Sequence, residues 1–452
     1  MTDLAKTAAN ALGLLEDLVA KAVAAGATAA DAVLVDGASL AVTHRLGKLE
    51  KLERSEGGDI GLRVLIGGRQ AIVSSADRRP DALAALVERA VAMARTVPED
   101  PFAGLAEPGQ LARDLPAIDN FDPTEPSAEA LTELVRALED EARSVPGVTN
   151  SEGAEASWGL STVALVGSNG FSHAYHASHS GMSVSVVAGT NETGMEGDYD
   201  YSTAVYFADL RDPLEVGREA GRRATRRLGA KRLATGRLPV VFDPRVSRGL
   251  VGHLLGAING GGIARGTSFL KDRLGEAVFA PGIRIIEDPH RPRGLRSKPC
   301  DAEGLANRRR TLVEDGRLTS WILDLRSARQ LGLESTGHAS RGTGSAPSPS
   351  TTNVWLEAGP LSPQDLMADI EDGLYVTDLV GQGVNGLTGD YSRGAAGFRI
   401  EKGVLTTPVN EITIAGNLIE MFAGLTPAND LDLRYGTDAP TVRLAAMTIA
   451  GG

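Results

Sequence analysis

Residues 381–397 read GQGVNGLTGDYSRGAAG, six glycines in seventeen positions. No other part of the chain restricts the fold as strongly, because each glycine held in place gives up more backbone freedom than any other residue. Such density is tolerated where backbone must turn tightly or lie against another backbone. Strand-like apolar runs flank the segment, at 374–380 before it and at 397–400 and 411–415 after it. A compact polar group, Asn385, Asp390, Tyr391, Ser392 and Arg393, sits inside it. The ribbon is therefore either a site or a tight structural crossing.

At 452 residues the chain has room for two or three domains with large cores. Its net charge of −12 speaks against nucleic-acid binding as a main role. The basic runs at 222–227 and 308–310 are short and read as solvated faces. A single cysteine, Cys300, excludes an internal disulfide framework and fits a reducing compartment. The first eighteen residues lack a basic leader and an unbroken apolar stretch, so no signal peptide is expected. No run approaches the roughly 18 apolar residues of a membrane span. The expectation is a soluble, cytoplasmic protein without nucleic-acid or membrane partners.

Helical spacing predicts a helix over 3–25, stopped by Gly26. Strand-like runs follow at 31–35, 40–45, 60–66 and 70–73, with Gly57-Gly58 and Gly67-Gly68 as turns. A helix over 81–95 leads to a proline-rich loop at 97–126, then to a helix over 127–143 with Ser127 as N-cap. Strands at 153–158 and 161–166 precede a hairpin turn, Ser168-Asn169-Gly170, and a strand at 172–177. Runs at 183–188 and 203–207 continue the sheet, and a basic helix spans 214–228. Helix, strands, helix occurs twice, as in a duplicated α+β unit. The second half opens with a buried strand at 238–242. Asp243 stands at an N-cap and Pro244 at the first position of a helix that runs to 258 and stops at Asn259-Gly260-Gly261-Gly262. Short strands fill the remainder, apart from a capped helix at 362–369. The fold class is thus α+β: an N-terminal sandwich-like domain (1–230) of antiparallel sheet and flanking helices, and a mostly-β C-terminal domain (237–452) with one central helix.

His173, His176 and His179 form HxxHxxH, which on a helix would gather three metal ligands. Their Ser-, Tyr- and Val-rich surroundings favour a strand. There His176 faces away from the other two, which lie roughly 20 Å apart. Gly381, Gly383 and Gly386 match GxGxxG, but no helix follows to meet a pyrophosphate. The chain has no GxxxxGK[ST] loop and no GxSxG elbow.

Five longer stretches carry a resemblance: RGTSFLKDRLGE (265–276), KPCDAEG (298–304), TSWILDLRSARQLGLESTG (319–337), GQGVNGLTGDYSRGAAGF (381–398) and EITIAGNL (411–418). In these the sequence resembles the TldD/PmbA family, and within it the PmbA branch, also called TldE. The resemblance implies a heterodimeric zinc peptidase that degrades unfolded or short peptides, trims leader peptides such as that of a microcin, and turns over an antitoxin. It also implies that the TldD-type partner carries the metal on an HExxxH helix with a later cysteine. In this chain the matching helix has Arg248 and Gly249 where that motif has its first histidine and glutamate, and His253 as the second histidine. Gly394 falls near the place of the cysteine. Arginine has no lone pair for zinc and glycine cannot serve as a general base.

Zinc is therefore expected in the partner and no cofactor in this chain, whose metal-site positions Arg248, Gly249, His253 and Gly394 are degenerate. Asn385, Asp390, Tyr391, Ser392 and Arg393 either line a peptide chamber or brace the ribbon, with Asp390 and Arg393 pairing locally. The leading expectation is the non-catalytic subunit. The alternatives are a stand-alone homodimeric non-zinc hydrolase and a regulatory binding protein, such as a gyrase modulator. A homodimer is a further expectation when the partner is absent.

Overall fold

The computed structural model describes residues 2–451 apart from Thr193, with side chains of the first helix described from Lys6 onward. Helix α1 (Thr2–Ala24) buries Ala11, Leu15, Leu18 and Ala22, one stripe at helical spacing. Strands β1 (Ala29–Arg45), β2 (Lys48–Ile66) and β3 (Arg69–Ser75) and helix α2 (Pro80–Thr96) complete a first unit. Helix α3 (Ala128–Ser144), strands β4 (Val148–Gly167), β5 (Ser172–Thr190) and β6 (Gly194–Ala204) and helix α4 (Pro213–Arg226) repeat the pattern. All six strands form one antiparallel sheet, in the order β3-β2-β1-β4-β5-β6. The two units thus join along β1 and β4, paired from Asp31↔Gly167 to His44↔Ala154. Helices α1 and α2 close one core over Ala32, Leu34, Leu62 and Val64. Helices α3 and α4 close a second over Val42, Trp158 and Val184.

A buried carboxylate ties the units together. Glu139 of α3 accepts hydrogen bonds from Leu46 N at 2.7 Å and Gly47 N at 3.1 Å, and lies 2.9 Å from His44 Nδ1. Burial alone would raise its pKa, but these hydrogen bonds and one from Ser151 hold it below the usual carboxylate range. The second unit's helix therefore grips the β1–β2 turn of the first.

Several sequence expectations are corrected here. The runs at 31–35 and 40–45 are one strand, as are those at 153–158 and 161–166. Gly57-Gly58 is no turn: both pair in the ladder, opposite Gly37 and Asp36. A Cβ on Gly58 would lie 2.8 Å from Val35 O and closer still to Asp36, so glycine there permits a close approach. The run at 203–207 belongs to β6 only through Ala204. The Gly67 turn, with φ 59, and the Ser127 N-cap, which accepts from Ala130 N, stand as expected.

The C-terminal half contains β7 (Gly236–Phe242), α5 (Pro244–Ala257), α6 (Gly260–Ala264), β8 (Ile285–Asp288), β9 (Arg310–Glu314) and β10 (Arg317–Leu318). Next come α7 (Leu325–Leu331), β11 (Ala339–Ser340), β12 (Ser348–Pro349), β13 (Asn353–Leu356) and α8 (Pro363–Met367). The chain ends with β14 (Asp372–Val380), β15 (Asp390–Glu401), β16 (Val404–Asn417), α9 (Leu418–Ala423), β17 (Leu425–Pro427), β18 (Thr437–Asp438) and β19 (Val442–Ala450). One sheet runs β16-β15-β14-β7-β19-β17 and curls on itself because β16 also pairs with β19. A second runs β10-β9-β8-β13-β18. Helix α5 packs against β7 and β14 of the first sheet and β13 and β18 of the second, burying Leu250, Val251 and Leu254. The expected β-rich half with a central helix is present. Three more helices were not foreseen. Helix α5 stops at the glycine run as expected, but a further short helix follows at once: the Asn259 side chain accepts from Gly261 N and starts α6. Helix α7 begins with a capping box between Asp324 and Ser327, and α9 is capped by Asn417.

Candidate functional site

Helix α5 starts as its sequence dictates. Asp243 accepts from Arg245 N at 3.0 Å, Pro244 fills the first position, and Tyr375 Oη donates to the second Asp243 oxygen at 2.9 Å. One face of the helix is core. On the other face lie Gly249, Gly252, His253 and Gly256. A Cβ built on any of the three glycines would meet nothing within 4 Å. Glycine within a helix costs about 0.5–1 kcal/mol relative to alanine, and packing inside this chain does not require it here.

The ribbon lies beside that face and divides in two. Residues 381–389 form a loop and β15 begins at Asp390. Gly381 and Gly389 have φ of 88° and 81°. A Cβ on Gly383 would fall 1.8 Å from Ser392 O, so backbone crosses backbone at that point. The Asn385 side chain accepts from Leu387 N at 2.9 Å, shaping the loop tip. Phe269 N donates to Gly386 O at 3.0 Å, and Ser268 Oγ donates to Ala257 O at 2.6 Å. The stretch RGTSFLKDRLGE thereby ties the ribbon to the end of α5.

Between them lies a cavity of about 360 Å³ whose lining includes Gly252, His253, Gly256, Thr267, Gln382 and Arg393. His253 meets Tyr391 edge-on, with ring centroids 5.8 Å apart. Burial, and then the Arg393 guanidinium, push the His253 pKa down, so its ring is neutral at pH 7. Tyr391 is 2% exposed and burial raises its hydroxyl to about 12.

The predicted residues do not share one place. Of the ribbon's five, Arg393 lines the cavity. Tyr391 is core rather than chamber wall. Ser392 is exposed and points away, because β15 alternates faces. Asp390 is exposed and accepts from Thr388 Oγ1 at 2.6 Å and Asn417 Nδ2 at 3.1 Å. Its partners are those two residues and not Arg393. Gly394 also faces away: a Cβ there would meet Val380 at 3.4 Å. Arg248 points into a different cavity, 4.7 Å over the Tyr435 ring. Gln382, Thr267, Gly252 and Gly256 line the site unforeseen. Only the spacing of Gly249, Gly252 and Gly256 along one helix face could have indicated it. The histidines of HxxHxxH lie in β5 as expected, His176 Nδ1 being 2.9 Å from Thr162 Oγ1.

The side chains around His253 do not fit a metal ion. Its neighbours are a buried phenol and a guanidinium, and a cation beside Arg393 would be repelled. Among the described residues no three His, Cys, Asp or Glu side chains come together in a way that could hold one.

Three family models match the chain: PmbA/TldA metallopeptidase domain 1 over residues 30–94, its central domain over 121–228, and its C-terminal domain over 235–451. The sequence is 39% identical to metalloprotease PmbA of Escherichia coli O157:H7, over 91% of this chain and 90% of that protein. It is 35% identical to the metalloprotease PmbA homolog of Haemophilus influenzae, over 94% and 93%. The fold is similar to that of TldE from Thermococcus kodakarensis, with a TM-score of 0.87, 21% identity, and 97% of this chain and all of that one covered. It is also similar to that of a Bacteroides thetaiotaomicron protein described as a modulator of DNA gyrase, with a TM-score of 0.90, 24% identity, and 97% and 98% covered.

Proposed function

The chain belongs to the PmbA/TldD metallopeptidase family, and from that premise we propose that it is the TldE-type, non-catalytic subunit of a two-chain zinc peptidase. A TldD-type partner carries the zinc, and this chain closes the cleft through which unfolded or leader peptides pass. The observation that carries this reading is the exposed face of α5. One neutral imidazole stands there between glycines, under a guanidinium, with no carboxylate to act as ligand or base. The open glycines support the close approach of a second backbone, either the partner's or an extended peptide's. No helix among the described residues is long and apolar enough to cross a membrane, and we place the pair in the cytoplasm.

The test is metal analysis and peptide cleavage on the purified chain, alone and with its TldD-type partner. The expected result is a one-to-one complex that cleaves an unstructured peptide, with zinc and activity absent from this chain alone. Stoichiometric zinc in the single chain, with peptidase activity lost on chelation, would overturn the reading.

A further inference from the structure

A second cavity, of about 350 Å³, lies where the N-terminal sheet meets the C-terminal half, between β6, the start of α5 and the segment 430–439. Its size is within the roughly 300–1,000 Å³ of small-molecule sites. It shares no lining residue with the cavity around His253.

Most charges in its wall answer one another. Asp200 accepts from Arg211 Nη1 at 2.8 Å and from Arg223 Nη1 at 2.9 Å, and Arg245 Nη2 donates to Asp198 at 2.9 Å. Arg434 pairs with Asp432. Asp430 accepts from Thr441 N at 2.8 Å and from Thr441 Oγ1 at 2.7 Å. Asp438 accepts from the backbone N–H groups of Arg434 at 3.2 Å and Tyr435 at 2.9 Å.

Arg248 is the exception. Among the described residues no hydrogen bond or ion pair engages its guanidinium. The side chain is half-buried, lines the cavity, and has no nitrogen sealed from solvent. The guanidinium stands 4.7 Å from the centre of the Tyr435 ring and 6.0 Å from that of Tyr201, and the two rings are 4.9 Å apart. Stacking against its face holds the guanidinium plane and leaves the N–H edge free, the edge that takes a carboxylate in bidentate fashion. Neither tyrosine hydroxyl is hydrogen-bonded among the described residues. Burial pushes the Tyr435 hydroxyl up to about 12, so it keeps a proton to donate at pH 7. The wall holds five arginines and five aspartates, so a second negative charge on a ligand would gain no net attraction there.

We propose that this cavity binds a carboxylate, held edge-on by Arg248 with the Tyr435 hydroxyl as a further donor. The ligand sits at the seam between the halves, with Tyr201 from the N-terminal sheet beside it. Nothing in this assignment depends on whether the chain works with a zinc-bearing partner.

The experiment is calorimetric titration of the full chain with acetyl-alanyl-alanine and with acetyl-alanyl-alaninamide, its neutral counterpart, carried to about 10 mM, well past a millimolar dissociation constant. The acid is expected to bind at one site, and the amide at least about tenfold more weakly, the loss of a charge-assisted hydrogen bond. Arg248→Met keeps an apolar stem against Tyr435 and removes the donors, so it should erase the preference for the acid. Arg434→Met should preserve that preference, because Arg434 already has a carboxylate. Propionate binding as tightly as the peptide acid would identify a free acid as the ligand; weaker binding of propionate would identify a peptide terminus. Equal binding of acid and amide to the wild type, no saturable binding of either, or tighter binding of inorganic phosphate would overturn the proposal whether or not the variants fold. So would an Arg248→Met chain that still prefers the acid.

Discussion

Glu303 offers a quantitative check on the buried network around Asp301. Its side chain is buried and accepts from Leu325 N at 2.8 Å. Burial, and then the Asp301 carboxylate, push its pKa up to about 8, against about 4.3 for a glutamate in an unfolded chain. Between those values the native protein holds a proton that the unfolded chain has released. Its stabilising effect is therefore complete at low pH and is lost as pH rises through the folded value. The limiting slope is one proton, about 1.4 kcal/mol per pH unit. From pH 5 to pH 8 that amounts to roughly 4 kcal/mol. Asp301, also raised by burial, shares the titration, so roughly 4 kcal/mol is the upper bound for Glu303 alone. Glu303→Gln keeps an oxygen for Leu325 N and cannot ionise. Thermal melts of both proteins across pH 5–8 should show E303Q gaining steadily on the wild type as pH rises. A constant difference, or a wild type that gains on E303Q, would refute the reasoning.

Gly383→Ala should destabilise by about 1–3 kcal/mol, since its Cβ collides with Ser392 O; an unchanged melting temperature would contradict the crossing. Tyr391→Ala should cost about 3–5 kcal/mol as a core truncation, and Tyr391→Phe only about 1 kcal/mol. Denaturation of the two variants side by side tells a core residue from a chamber residue, for which the two would match. Gly394→Cys should bind no zinc, because its Cβ points at Val380 and Arg248 lies in another cavity; mass spectrometry finding one zinc per chain in that variant would disprove the geometry.

Local chemistry was legible in the sequence. Ser127, Asp243 with Pro244, and Ser362 marked helix starts because a cap needs only its own next few residues. Glycine was ambiguous, since it serves turns and close contacts alike. Gly67 makes a turn, whereas Gly58 and Gly383 make room for backbone that arrives from elsewhere in the chain. The ribbon's polar residues looked like one group because the start of β15 was hidden among glycines. Once Asp390 is known as the first strand residue, alternation sends Tyr391 and Arg393 to one side and Ser392 and Gly394 to the other. The Asp31–Arg63–Arg341 cluster had no local signature at all. Asp31 and Arg63 stand opposite each other in the β1–β2 ladder, and the packing of the C-terminal half on the N-terminal sheet brings Arg341 to them.

The seam between β1 and β4 has the symmetry of a dimer. An antiparallel central pair is what a two-fold axis through a sheet requires, and α1 lies partly over β4 as α3 lies over β1. Each unit thus lends a helix to roof the other's strand. The tract joining them, 97–127, contributes no strand to the sheet. Severing the chain there would leave the β1 and β4 edges open, each complementary to the other over the whole length of the seam.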